Sequence, residues 1–543
     1  MDPDKNGNGD MEDPLSGVNG EVQMKNVKTQ VSDKKRKSQS GDKGKTKKKK
    51  PSNDPPTLIP ADLDDLLNNP EEEPGSLELG DNAFEWIICP TSVEEFYKDY
   101  WEKKPLHIKR PTDRNYYKGT FSTKALDKIL REQRVLYGKN LDVTSYDGKR
   151  ETHNPEGRVY PAVLWDFFSN GCSIRMLNPQ TFHNGVWRLC STLQDHFQNM
   201  VGANVYLTPP GTQGFAPHYD DVEVFMLQLE GKKHWKLHRS RSEEERLPRF
   251  SSQNFDQEDV GEPFMELDLE PGDLLYLPRG TIHQGNCLEE AHSLHITISM
   301  YQLNSWTDLL EKLLPGALAV ASQENIEFRQ GLPRDFLLNM GVVHEGKDTE
   351  SRKKFVDKVK TLMKKLIDYA PIDAACDQLG KKLMHDVLPP ALEVSEKART
   401  VAGDGERWHA AKSAVVNRVE IDPDTCIRSV SWSPMFVSVY NCFIMFRLVR
   451  STAVRLVTEE DTVMMYYSTD NTREYHEVEH QCLEIGAEQA PALEHLITRY
   501  PGWSKVEELP LEELEERMKV AGDLWERGIV MTSEPLEPKY DDP

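Results

Sequence analysis

Between residues 203 and 301 the apolar positions fall in short runs punctuated by Gly and Pro. Asn204-Val205-Tyr206-Leu207 stops at Pro209-Pro210-Gly211. Val222 to Leu229 and His234 to Leu237 flank Glu230-Gly231. Leu274-Leu275-Tyr276-Leu277 stops at Pro278-Arg279-Gly280, and His295 to Met300 alternates. Short strands separated by turn residues predict a sandwich or barrel, here a jelly roll of the double-stranded β-helix type. Helical signals flank it. Ser92-Val93-Glu94-Glu95 is a capping-box pattern, with Phe96, Tyr97 and Tyr100 on the apolar face that follows. Pro105-Leu106-His107-Ile108 reads as a strand, and 122–136 and 187–201 read as helices. Beyond Trp306 the period lengthens. Phe355, Val356, Val359, Leu362, Met363, Leu366 and Ile367 recur at helical spacing with Lys on the other face. The pattern thus predicts a mainly β core over 81–305 with flanking helices, an α-helical domain over 306–398 and a small mixed α/β unit over 399–543.

Composition sharpens the two ends. A chain of 543 residues is too long for one domain. Residues 1–80 are polar, charged and Pro-rich. They cannot bury enough apolar area to offset ordering entropy, so we expect a disordered tail, with order beginning near Phe84-Glu85-Trp86. Residues 31–50 hold ten Lys/Arg against Asp33 and Asp42, a local +8 inside a chain of −23, which leaves −31 on the remainder. Basic blocks of this kind read as an address for the nucleus, its nucleolus and nucleoplasm. Residues 401–543 carry 27 Asp/Glu against 14 Lys/Arg, so direct nucleic-acid binding by the last unit is not expected. The eight cysteines form no CxxC pair, which disfavours a zinc ribbon or a thioredoxin-like motif. The one long apolar run, Val430 to Phe446, is interrupted by Pro434 and Asn441 and falls short of the ~20 residues of a membrane span, so no membrane segment is read.

The chemistry concentrates in three residues. His218 and Asp220 are two apart, and in a strand such residues share a face. His283 follows the strand Leu274–Leu277 and the turn Pro278-Arg279-Gly280, which places it at a barrel rim 63 residues beyond Asp220. Two imidazoles and a carboxylate form the facial triad of a non-haem Fe(II) oxygenase, which leaves one side of the metal open. The same donors also suit Zn²⁺. Lys233 tips the balance toward iron. It lies on the strand after Glu230-Gly231, expected to run antiparallel to the strand following the His-Tyr-Asp run. From there it could pair with the far carboxylate of 2-oxoglutarate while that keto acid chelates Fe(II) and O₂ takes the last position. Tyr206 and Thr297 could add hydroxyl hydrogen bonds, and Asn204 an amide. Such a site hydroxylates a C–H bond. On an N-methyl carbon the same reaction releases formaldehyde and is a demethylation, so the triad does not separate the two.

The runs NVYLTPPGTQGFAPHYDDVEVFMLQLEGKKHWKLH, EPGDLLYLPRGTIHQ and GLPRDFLLNMG resemble the ribosomal oxygenase branch of the JmjC family, over roughly residues 80 to 540. The resemblance implies a JmjC barrel, a helical dimerisation domain giving a homodimer or a dimer of dimers, and a C-terminal winged-helix domain. It puts the iron ligands on His218, Asp220 and His283, the oxoglutarate lysine on Lys233, and substrate-side positions on Arg175, Tyr206 and Ser299. From the residues alone, Arg175 could bond a peptide carbonyl or serve as an ion-pair partner. The resemblance further implies hydroxylation of a histidine in a large-subunit ribosomal protein. It also implies demethylation of methylated lysines in the histone H3 tail with transcriptional repression, and hence contact with transcription factors. One segment departs from the family pattern. Residues 429–447, SVSWSPMFVSVYNCFIMFR, read as an insertion, and joining Arg428 to Leu448 would restore the pattern. The rival reading from another class is a nuclear, chromatin-binding scaffold whose barrel is catalytically idle.

Overall fold

The computed structural model describes residues 75–403, 405–419, 421, 445–459, 462–475 and 479–536. The basic tail therefore lies outside the described residues, as does most of the 429–447 segment.

The core is a jelly roll of two antiparallel sheets. The larger has eight strands in the order β1-β9-β6-β11-β5-β4-β2-β3, and the smaller has three in the order β10-β7-β8. The strands are β1 Leu106–Ile108, β2 Leu141–Tyr146, β3 Arg150–Thr152, β4 Ser173–Leu177, β5 Val201–Thr208, β6 Glu223–Gly231, β7 Lys233–His238, β8 Met265–Leu269, β9 Leu274–Leu277, β10 Ile282–Cys287 and β11 Ser293–Met300. Alternation along β6 explains the layering. Val224 and Met226 point between the sheets, where they meet Trp235, Leu237, Leu267, Leu269, Leu275 and Leu277. Phe225 and Leu227 point the other way, into a larger core shared with the helices Ser76–Ile88 and Asn184–Phe197. Phe84 sits in that core with Phe96, Phe197 and Phe225 packed edge-on around it. Helix start signals hold: Ser92 caps Val93–Asp99 by accepting from the Glu95 N–H at 3.2 Å.

Several expectations change. Among the described residues the first helix begins at Ser76 rather than near Phe84, because Gly80 lets it lie so close to Asn184–Phe197 that a Cβ there would stand 2.7 Å from the His196 nitrogen. The chain does not turn back on itself after Glu230-Gly231. β7 pairs with β10 and β8 in the small sheet, not with β6. Gly231 (φ +61°) is the corner where the chain changes sheets, and a Cβ there would meet the His292 carbonyl oxygen at 1.6 Å. The strands β2, β4, β8 and β10 escape the sequence pattern because they are short or rich in polar residues.

The described chain divides into two compact units. The smaller comprises Gly316–Ala370 with Thr458–Thr462. Its helix Glu350–Leu366 buries Leu366 with Ala317, Ala321 and Phe328, while Val359, Met363 and Ile367 stay exposed. The larger unit holds the jelly roll and most of the C-terminal part. The helix Ile372–Asp386, grouped by its periodicity with a 306–398 helical domain, belongs to this larger unit. The reason is packing: Met384 and Val387 are buried with Val457, Tyr466 and Met200, and Leu388 joins the main core. In the C-terminal part, the strand Met445–Leu448 lies between Ser504–Lys505 and Val530–Thr532, against helices Ala490–Arg499 and Leu514–Glu526. Phe446 is fully buried there, so at least Met445, Phe446 and Arg447 of the expected insertion are integral to this domain's sheet and core. Among the described residues no helix is long and apolar enough to cross a membrane.

Candidate active site

His283 is not beyond a strand end but the second residue of β10, and His218 lies outside the strands, in a single antiparallel bridge to it. Each backbone N–H donates to the other's carbonyl, His218 to His283 at 3.2 Å and His283 to His218 at 2.8 Å. The Gly280 N–H adds a bond to the Asp220 carbonyl at 3.0 Å. Pro217 has no N–H with which to extend the ladder, and its carbonyl is taken by Phe255 at 2.9 Å. Two extended segments are thus stitched together over a few residues.

Local hydrogen bonding sets the tautomers. The His218 Nδ1 faces the Ala216 carbonyl at 2.9 Å, and the His283 Nδ1 faces that of Thr281 at 3.0 Å. A carbonyl only accepts, so both Nδ1 atoms carry the hydrogen and both Nε2 atoms present a lone pair. The two Nε2 atoms stand 3.8 Å from the two oxygens of Asp220, one each. One ligand atom from each of the three residues lies within 4.8 Å of the others, a cluster able to hold a metal ion. Burial, reinforced by the neighbouring His218, lowers the pKa of His283 and keeps it neutral as a ligand must be.

Lys233 opens β7 just past the corner, fully buried. Burial pulls its pKa down to about 8. Its amine reaches the Thr208 hydroxyl at 3.4 Å and lies 5.0 Å from the centre of the Trp235 ring. Trp235 in turn stands 6.0 Å from His283 and 5.4 Å from His295. Beside this amine, His295 Nδ1 and Trp235 Nε1 are buried without a partner, as is Thr297 Oγ1 two residues along β11 from His295. A buried cation among orphaned polar atoms needs an anion that hydrogen-bonds, and the far carboxylate of 2-oxoglutarate fits that need. The hydroxyl beside Lys233 is Thr208, which sequence reasoning missed. Tyr206 instead lies opposite Arg175 and stacks on His295 at 4.9 Å. The row His295, Thr297, Ser299 alternates along β11, and that period-two signal would have exposed His295.

Arg175, Asn204, Tyr206, Thr297 and Ser299 come together with Asp220 on the lining of one cavity of about 540 Å³. That lining includes neither imidazole of the triad nor Lys233. Register explains the gathering: Arg175 pairs with Tyr206 across β4 and β5, and Asn204 pairs with Thr297 across β5 and β11. Arg175 makes an ion pair with Asp142 of β2 at 2.5 Å, so the second of its two readings is realised, while it still lines the cavity. Leu379, Leu383 and Tyr475 wall the outer side.

Residues 175–309 match the JmjC domain, and residues 442–536 match the family described as Ribosomal oxygenase 1, C-terminal winged helix domain. Ribosomal oxygenase 1 of Danio rerio is 49% identical over 475 residues, covering 87% of this chain and 84% of that protein.

The chain belongs to the ribosomal oxygenase branch of the JmjC family.

Ribosomal oxygenase 1 of Gallus gallus is 51% identical over 454 residues, 83% of this chain and 72% of its own. The protein named bifunctional lysine-specific demethylase and histidyl-hydroxylase NO66 of Branchiostoma floridae is 45% identical over 461 residues, 85% of this chain and 69% of its own. Escherichia coli ribosomal oxygenase YcfD superposes with a TM-score of 0.40 at 16% identity, covering 81% of this chain and 98% of that one, a likeness too loose to add to the assignment. As a JmjC oxygenase, the chain is an Fe(II)- and 2-oxoglutarate-dependent enzyme, and its C-terminal domain is a winged helix.

Proposed function

We propose that this oxygenase hydroxylates a histidine side chain of a large-subunit ribosomal protein, with His218, Asp220 and His283 as the iron ligands and Lys233 as the oxoglutarate anchor. The observation that carries the substrate reading is the cavity lining. Beside Asp220 it offers hydrogen-bonding groups, Asn204, Tyr206, Ser299 and Arg175, and its only aromatic rings among the described residues are Tyr206 and Tyr475. An imidazole is read by hydrogen bonds, whereas a methylated ammonium is read by an aromatic cage. The relatives' names, ribosomal oxygenase and histidyl-hydroxylase, support the same choice.

Bound Fe(II), with 2-oxoglutarate and O₂, supplies hydroxylation of a C–H bond coupled to decarboxylation of the keto acid to succinate. The chain's residues do the rest. The Ala216 and Thr281 carbonyls fix the two imidazoles with Nε2 inward. Lys233 holds the far carboxylate, and the buried surroundings that lower its pKa strengthen that pairing. Asp142 accepts from Arg175 Nε and Nη2 and so fixes the guanidinium beside the cavity, and Arg175 and Tyr206 orient the target side chain.

The test is incubation of the full chain with Fe(II), 2-oxoglutarate and ascorbate. Peptides spanning histidines of large-subunit ribosomal proteins are compared with methyl-lysine H3-tail peptides, and the masses are read. One oxygen gained on a histidine is expected. A methylene lost from lysine, with histidine untouched, would instead make the chain a histone demethylase, the activity also carried in the NO66 name. No peptide-dependent succinate would leave only the idle chromatin-bound scaffold.

The helix Trp306–Glu324 exposes Trp306, Leu310 and Leu314 at a spacing of four, an unpartnered apolar face that supports a homodimer. The basic blocks of residues 31–50 support residence in the nucleus and nucleolus, where a ribosomal protein or histone H3 would be met. Replacing Lys47–Lys50 by alanine in the fluorescently tagged full chain should weaken nuclear accumulation.

A further inference from the structure

Four residues outside the triad tie its two halves together. Glu223 is the first residue of β6, three residues after Asp220, and it is fully buried. Arg279 sits in the turn between β9 and β10, four residues before His283, with its side chain 8% exposed. β6 and β9 run antiparallel with Val224 opposite Leu277, so the register brings Glu223 beside the start of that turn. Arg279 Nη1 donates to Glu223 Oε1 at 2.9 Å and to Glu102 Oε1 at 2.5 Å, and the Arg279 N–H approaches Glu223 Oε1 at 3.4 Å. Tyr276 of β9 closes the cluster. Its hydroxyl donates to the other Glu223 oxygen and accepts from the Glu102 N–H at 3.0 Å.

The turn is gripped from its other side as well. The Ser240 hydroxyl donates to the Gly280 carbonyl at 3.1 Å, and Gly280 (φ +84°) lies so close to the Glu245 carbonyl that a Cβ would stand 2.4 Å from it. Gly280 donates its N–H to Asp220, and Thr281 accepts the His283 Nδ1–H at 3.0 Å. The residues flanking Arg279 on the C-terminal side therefore contact one ligand backbone and set the ring orientation of another. A fully buried Glu223 carboxylate also needs a cation, because an unpaired buried charge is costly.

We infer that Arg279 is a positioning residue for the metal centre: clamped between Glu223 and Glu102, it locks the Pro278–Thr281 turn against the Asp220 segment and so fixes His283 relative to Asp220. This rests on the proposed ligand set. None of the four clamp residues lines the cavity or bonds Lys233, so loss of the clamp acts on metal binding and leaves the co-substrate anchor in place. Arginine suits the task because its guanidinium stays charged when buried, whereas a buried lysine amine gives up its proton readily.

The experiment titrates anaerobic cobalt(II) chloride into the full-length chain, reading affinity by calorimetry and ligand geometry from the visible d–d bands. Arg279→Met should weaken Co(II) binding by about tenfold or more, the usual effect of removing a group that orients metal ligands, and should alter the bands. Arg279→Lys should restore part of the affinity. Asp220→Ala is the control for the ligand reading: unchanged Co(II) binding in that variant would refute the triad itself. With Asp220→Ala defective, an Arg279→Met protein that melts normally and gives wild-type affinity and bands would overturn the clamp alone. Should Arg279→Met fail to fold, Glu102→Gln, which removes the more exposed carboxylate, takes its place. It should shift the bands and lower affinity more modestly, and wild-type values there would likewise sink the clamp.

Discussion

The amine of Lys233 lies 3.4 Å from the hydroxyl of Thr208, and among the described residues no carboxylate pairs with it. A protonated amine buried this deeply is unfavourable until an anion arrives. Replacing it, Lys233→Ala, should therefore cost about 3 kcal/mol of co-substrate binding, roughly a hundredfold in affinity. The check is the 2-oxoglutarate KM in a succinate-release assay; an unchanged KM would refute the anchor.

The same amine predicts a pH dependence. Its pKa is lowered to about 8, so the free protein loses this proton as pH rises through 8. Binding a carboxylate there then requires the proton to be regained. The affinity for 2-oxoglutarate should fall above pH 8, by at most about tenfold per unit. For the ligand-free protein the sign is opposite. The unfolded chain keeps the proton up to its ordinary pKa of about 10.4, so stability rises with pH between about 8 and that value. Calorimetry with the Mn(II)-loaded protein at pH 7 and 9, and melting of the ligand-free protein over the same range, check both halves. Lys233→Met should flatten them.

The two oxygens of Asp220 face the two imidazole Nε2 atoms at 3.8 Å each, and no other carboxylate among the described residues joins the cluster. Asp220→Ala should therefore abolish peptide-dependent turnover and bound metal while the circular dichroism spectrum is unchanged. Elemental analysis of the purified variant decides it, since metal retained at wild-type stoichiometry would contradict the ligand set.

Arg450 is fully buried in the C-terminal part and bonds both oxygens of Glu396, at 2.7 and 2.8 Å, with Asp195 of the jelly-roll core 3.8 Å away. Burial raises the pKa of Asp195, and the guanidinium holds down that of Glu396 against its own burial. Arg450→Met strands two buried carboxylates and should destabilise the fold by about 3–5 kcal/mol. A lowered urea midpoint is the readout. The variant should regain stability as pH falls and the stranded carboxylates protonate.

The exposed row Trp306, Leu310, Leu314 predicts a self-association surface. Introducing charge, as in Leu310→Glu with Leu314→Glu, should convert a dimer to a monomer in light scattering without lowering the melting temperature of the barrel.

Much of the site was legible in the chain because its chemistry is local. His218 and Asp220 are close in sequence, and an extended segment carries both to one side whether or not it is a strand. Period-two alternation from His295 to Met300 marked β11, and turn residues marked the strand ends. The Ser92 cap needed only the residues around it. What the pattern could not supply is pairing between distant segments. Whether β7 pairs with β6 or crosses to the other sheet depends on Gly231 and on the His292 carbonyl packed against it, 61 residues away. Arg175 could be read as a substrate group or an ion-pair partner until strand register put Asp142 beside it. Phe446 looked like part of an insertion until the sheet containing Ser504 and Thr532 buried it. Sequence alone determined which side chains are available for chemistry and which faces are apolar, because both follow from residue type and short-range periodicity. Tertiary structure decided which of those side chains meet, because long-range pairing is set by packing and loop closure over tens of residues, and no local pattern encodes that.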